Sequence, residues 1–110
     1  MNLRLSPMAQ QDLLDIKSYI TNDLSNPIAA ANVISRITKR LRSLEESPRL
    51  GAPLSAIVDV ETNYRYLLCG SYTAFYRVDD LTVYIDRILY GRRDFMKILF
   101  GTNFESDEIT

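Results

Sequence analysis

Two amphipathic stripes dominate the first half of the chain, and three short apolar runs dominate the second. Ala9, Leu13, Ile16 and Ile20 recur at spacings of four, three and four, the period of a helix that buries one face. Ser6-Pro7 is a good start for it, since serine satisfies an orphan N–H at the cap and proline lacks the donor that the first turn leaves free. The pattern predicts a helix over Pro7 to Asp23, preceded by a short strand at Leu3 to Leu5. Asn26-Pro27 repeats the start signal, and Ala30, Val33, Ile34, Ile37, Leu41 and Leu44 form a second stripe that Pro48 stops. With so few residues between them, the two helices should fold back as an antiparallel hairpin. Arg36, Lys39, Arg40 and Arg42 lie off the second stripe, where charged residues of a solvated face belong.

The stretch from Arg49 to Asn63, broken by Gly51, Pro53 and Ser55, reads as a long loop, with Ala56 to Val60 as a candidate short strand. Tyr64 to Cys69, Tyr72 to Val78 and Thr82 to Leu89 are rich in tyrosine and β-branched residues, and turn signals separate them. Gly70-Ser71 suits a two-residue hairpin, and Asp79-Asp80 marks the next reversal. Gly91 ends the last strand, Asp94 is placed to cap the next element, and Phe95 to Phe100 reads as a short helix. The order is β-α-α-β-β-β-α. It predicts an α+β domain over residues 1–101: an N-terminal strand, a helical hairpin, an antiparallel sheet with the helices on one side, and a short C-terminal helix. Residues 102–110 are expected to form a flexible acidic tail.

The 110 residues, 46% of them hydrophobic, suffice for one core. No apolar run approaches the roughly 20 residues of a membrane span, and Met1 to Ser6 is too short and mixed for a signal peptide, so the protein is expected in the cytoplasm, away from membranes. The chain has no histidine, which excludes a Ser/His/Asp triad, a Cys/His pair and a His-based zinc site. Its carboxylates are scattered, and neither a metal nor a cofactor is implied. Cys69 stands alone and reads as a small buried hydrophobe. The net charge of -1 hides an asymmetry: without Glu105, Asp107 and Glu108 the acids fall from 14 to 11 against 13 bases, leaving +2 up to Gly101.

Arginines gather in the sheet region: Arg65, Arg77 and Arg87 on successive strands, then Arg92-Arg93 at the turn. Strict alternation puts Arg87 on the face of Ile85 and Leu89, and Arg65 on the face of Leu67 and Cys69, so several can meet on one surface. Unpaired arginine is costly to bury, and these must either pair with Asp79, Asp80, Asp86 or Asp94 or face a partner.

The element order, the hairpin YRYLLCGSYTAFYRVDD (Tyr64 to Asp80) and the segment IDRILYGRRDFMKIL (Ile85 to Leu99) together resemble the RelE/ParE toxins of bacterial toxin–antitoxin pairs, from Asn2 to Gly101. The resemblance implies a growth-inhibiting protein neutralised by a cognate antitoxin. One branch of that family cuts mRNA on the ribosome, and the ParE branch poisons DNA gyrase without a nuclease site. As a nuclease, the chain would rely on Arg65 and Arg93, with Tyr90 or Asp94 to transfer protons. Nuclease members tend to carry a tyrosine or histidine near the end of the terminal helix, where this chain has Leu99 and Phe100. That departure, with the acidic pI of about 5.3, favours the gyrase-directed branch, with Arg65, Arg87, Arg92, Arg93 and Lys97 as target-binding residues. Two alternatives stand beside it: a ribosome-dependent mRNA endoribonuclease, and a non-toxic module that only binds an antitoxin.

Overall fold

The computed structural model describes residues 1–91 and 94–101. Strand β1 (Asn2–Leu5) leads into helix α1 (Pro7–Ser18), whose cap is the expected one: Ser6 Oγ accepts from the Ala9 N–H at 2.9 Å. The last turn of the first helix differs from expectation. Residues Tyr19–Asp23 wind as a π-turn, closed by a bond from the Leu24 N–H to the Tyr19 carbonyl. Helix α2 (Pro27–Arg42) starts on Asn26, whose side-chain oxygen accepts from Ala29, and a 3₁₀ turn extends it over Ser43–Glu45.

Strands β2 (Ala52–Pro53), β3 (Arg65–Cys69), β4 (Tyr72–Asp79) and β5 (Thr82–Tyr90) complete a five-stranded sheet in the order β1-β5-β4-β3-β2. The meander of β3, β4 and β5 is antiparallel, as the turn signals predicted, and Gly70 sits at φ 65 in its first turn. The expectation of a wholly antiparallel sheet is corrected at one edge: β1 runs parallel to β5, a pairing that needs a long crossover between its partners. The expected strand at Ala56–Val60 is absent. Instead Ala52–Pro53 pairs with Tyr66 and Arg65, and a 3₁₀ turn at Leu54–Ala56 buries Leu54. Proline is tolerated there because β2 is an edge strand.

The hairpin of α1 and α2 covers one face, where Ala9, Ile37, Leu41 and Leu44 meet Leu67, Ala74, Tyr76, Val83, Ile85 and Ile88. Helix α3 (Phe95–Phe100) does not join it on that side. Phe95 stacks on Phe75, which alternates with Ala74 and Tyr76 and so faces away from the hairpin. The expectation that all helices share one side is therefore corrected: Phe75, fully buried, demands a cover that the hairpin cannot provide. Among the described residues no helix is long and apolar enough to cross a membrane.

Candidate functional site

A β-bulge decides which side chains meet on the second face. Phe75 pairs with Arg87 and Tyr76 with Ile85, so Asp86 is an extra residue and the alternation of β5 changes phase there. Ile85 stays in the core with Tyr76, while Asp86 and Arg87 both leave it. Strict alternation put Arg87 on the face of Ile85, and the inserted residue overturns that. Arg87 keeps company only with Leu89, which lies opposite Thr73 on the same side as Phe75.

Arg87 reaches round the edge of the sheet to α1. Its Nε and one terminal nitrogen donate to the two carboxylate oxygens of Asp12 at 2.8 and 2.9 Å, and Asp12 also accepts from the Ile88 N–H at 2.9 Å. The carboxylate closes the part of the β5 edge that β1, ending at Leu5, leaves uncovered. Hydrogen bonding to Asp12 holds the Arg87 guanidinium more firmly protonated than usual. A cation so placed serves the fold, which leaves little of it for a target.

Asp86 gathers a second set. Tyr64 Oη donates to its carboxylate at 2.8 Å and Arg77 Nε does so at 2.8 Å, while the Arg77 guanidinium stacks over the rings of Tyr64 and Tyr84. Burial, and then the bond to Asp86, pushes the Tyr64 phenol up to about 12. Arg77 is raised in turn, chiefly by its hydrogen bond to Asp86. Beside this cluster, Ser6, Met8, Tyr64, Asp86, Arg87, Ile98 and Leu99 line a shallow cleft of about 340 Å³. Phe100 meets the Tyr64 ring edge-on at 5.7 Å and closes α3 over it. Sequence reasoning offered Asp86 only as one of several acids to pair with arginine and did not single out Tyr64. The available signal was a carboxylate in the middle of an apolar strand.

Because folding raises the Tyr64 phenol above its ordinary value near 10, its neutral form supports the folded state. That contribution is complete below pH 10 and is lost as pH climbs through about 12. An absorbance titration should therefore contain a component ionising near 12 that Tyr64→Phe removes. A titration in which Tyr64→Phe removes only an ordinary tyrosine would show that Tyr64 is not held in this buried, Asp86-bonded position.

The remaining sequence candidates are scattered. Arg65 shares the hairpin side with Leu67, as alternation predicted, and one terminal nitrogen donates to the carbonyls of Arg49 (3.2 Å) and Gly51 (2.6 Å). It fastens the loop before β2, and its Nε is shielded from solvent with no partner among the described residues. Tyr90 packs edge-on against Tyr72, four residues along β4 from Tyr76, which faces Arg65. At roughly 3.4 Å per residue that is about 14 Å away, too far for the two to share a reacting group. Asp94 occupies the cap position of α3 in a left-handed conformation, φ 48, and its side chain makes no capping bond, contrary to expectation. Lys97 is exposed on α3. Arg92 and Arg93 lie outside the described residues. Cys69 is buried, and burial lifts its thiol to about 11, the state of an inert core cysteine.

A family model described as the ParE toxin of the type II toxin–antitoxin system parDE matches residues 3–95. Among solved structures, the chromosomal ParDE system of P. aeruginosa superposes with a TM-score of 0.70 at 24% identity, covering 83% of this chain and 96% of that one. The RelBE2 toxin–antitoxin complex of Mycobacterium tuberculosis gives 0.55 at 24% identity, covering 81% and 88%. A YoeB/ParE toxin from Agrobacterium tumefaciens gives 0.57 at 16% identity, covering 82% and 98%. No curated protein matches the chain.

Proposed function

The chain belongs to the ParE toxin family of type II toxin–antitoxin systems, and from that premise we propose that it arrests growth by binding and poisoning DNA gyrase while a cognate antitoxin holds it in check. The observation that carries the choice of gyrase over mRNA cleavage is the committed state of Asp86. Cutting RNA through its 2′-hydroxyl requires a group to take a proton, a group to give one, and a free cation at the phosphate. In the cleft, Asp86 is the carboxylate, and Tyr64 and Arg77 already occupy it. The Tyr64 phenol, at about 12, neither gives nor takes a proton readily near neutrality. Helix α3 contributes Ile98 and Leu99 to the lining. Arg87 is spent on Asp12.

An antitoxin partner is supported by the complexes among the similar structures, which pair a toxin with an antitoxin. It is supported also by Leu14, Tyr19, Leu24 and Ile28, which are exposed along α1, its π-turn and the start of α2. Apolar side chains left open in that way suit a partner that covers them.

Purified protein should inhibit supercoiling by gyrase and leave mRNA on translating ribosomes intact. Arg92→Ala with Arg93→Ala should raise the concentration for half-inhibition roughly tenfold or more, the loss of about 1.4 kcal/mol of binding. Cleavage of ribosome-bound mRNA with supercoiling untouched would establish the nuclease reading instead. Unimpaired growth of a susceptible bacterium on induction of the chain alone would leave the antitoxin-binding module.

A further inference from the structure

The arginines of β3, β4 and β5 are committed internally, and a group of uncommitted cations lies on α2. Arg77 pairs with Asp86, Arg87 with Asp12, and Arg65 with two carbonyls. On α2, by contrast, Arg36, Lys39, Arg40 and Arg42 are all exposed, and none forms an ion pair among the described residues. The helix has no acid anywhere along its 16 residues. Arg40 Nε donates to the Leu68 carbonyl at 3.1 Å, which fixes the side chain without neutralising it.

At 100° per residue, the four cations span an arc of about 160°, and exposed Asn32 and Ser35 fall inside it; from Asn32 to Arg42 the stripe runs about 15 Å. Three of the cations stand in the last turn, where the helix dipole modestly favours them. The dipole does not account for Arg36, a turn earlier, which has no acid three or four residues away on either side; the acids that follow Arg42, Glu45 and Glu46, form no ion pair with it among the described residues.

The composition of the stripe selects the kind of partner. Between Ala31 and Ser43 no large hydrophobic side chain is exposed, whereas a protein interface centres on buried apolar and aromatic anchors. Cations interspersed with Asn and Ser are the groups that contact a phosphate backbone, where affinity is electrostatic and carries no sequence information. We propose that the outer face of α2 binds the phosphodiester backbone of double-stranded DNA. The choice of DNA rests on the gyrase-directed reading, which places a DNA duplex at the target.

The test is binding of a labelled 20-base-pair duplex of arbitrary sequence, followed by fluorescence anisotropy from about 25 to 200 mM KCl. The wild-type protein should bind, with affinity falling steeply as salt rises. The variant Arg36→Gln, Lys39→Gln, Arg42→Gln should lose tenfold or more in affinity at the lowest salt and flatten the log–log slope by about 2.7, three contacts at 0.9 each. Its thermal melt should match the wild type, since exposed substitutions cost little, and Arg36→Lys with Arg42→Lys should keep the slope. Absence of wild-type binding at 25 mM KCl, or an unchanged slope in the triple variant, overturns the proposal. So does duplex RNA bound as tightly as DNA. Loss of antitoxin affinity in the triple variant with DNA binding intact would assign the face to an acidic protein and overturn it equally. A supercoiling assay on the same proteins keeps the two readings apart. A wild type that spares gyrase sinks the functional reading and leaves the salt slope as measured; a wild type that inhibits gyrase but does not bind the duplex at 25 mM KCl sinks only the α2 proposal.

Discussion

Asp12→Ala is expected to destabilise the protein by about 3–4 kcal/mol, lowering its melting temperature by roughly 10–20 °C. Asp12 is a helix residue only 9% exposed, and one carboxylate serves three donors from β5. Removing it strands a partly buried guanidinium and leaves the Ile88 N–H without an acceptor. An unmet buried donor costs about 1–3 kcal/mol, and an unpaired charge adds the rest. The two parts separate in a double variant. Arg87→Met placed on Asp12→Ala should recover the charge part, because the thioether needs no partner, but not the part owed to Ile88. Urea denaturation of the three proteins gives the comparison. A single variant that unfolds within 1 kcal/mol of the wild type, or a double variant no more stable than Asp12→Ala, would show that the bridge does not hold α1 against β5.

The fate of Arg87 also shows where legibility in the sequence stops. Periods and caps are local, so the helical hairpin with its Ser6 and Asn26 caps, the turns at Gly70 and Asp80, and α3 from Phe95 to Phe100 stand close to where the pattern put them. The phase of β5 depends on a single extra residue opposite Phe75, and nothing in the alternation of IDRIL announces it. That one insertion moves Arg87 off the core face, frees it to reach Asp12 some 75 positions away in sequence, and aims Asp86 at Tyr64 and Arg77. The arginine cluster was visible as composition. Its commitments were not, because each partner is supplied by tertiary packing. Phe75 lies unmarked within the apolar run Tyr72 to Val78, while its burial under Phe95 is what carries α3 to the second face. The consequence for function is a reversal of emphasis: Arg65, Arg77 and Arg87 looked available and are bound internally, whereas the cations of α2 looked like an ordinary solvated face and form no ion pair among the described residues.

Gly51→Ala should be the other strongly destabilising substitution, at about 2–3 kcal/mol, the range for forcing an extra carbon into a packed site. A Cβ at this position would stand 2.7 Å from Tyr76 Oη and closer still to the Tyr66 carbonyl oxygen. Neither neighbour has room to yield. Tyr66 is held in the β2–β3 ladder, and Tyr76 is fully buried with its hydroxyl donating to the Pro48 carbonyl at 2.8 Å and accepting from the Gly51 N–H at 3.0 Å. The glycine is thus needed for close approach, and the loop entering β2 is locked by the tyrosine it approaches. Tyr76→Phe should cost about 1–3 kcal/mol by leaving that N–H unmet. The two costs should combine to less than their sum, since phenylalanine removes the oxygen that the new Cβ meets. The Gly51 carbonyl also holds Arg65, so the same substitution should release that guanidinium and speed proteolysis between Leu54 and Asn63. A Gly51→Ala protein with the denaturation midpoint and the proteolytic pattern of the wild type would mean that the loop does not need this close contact.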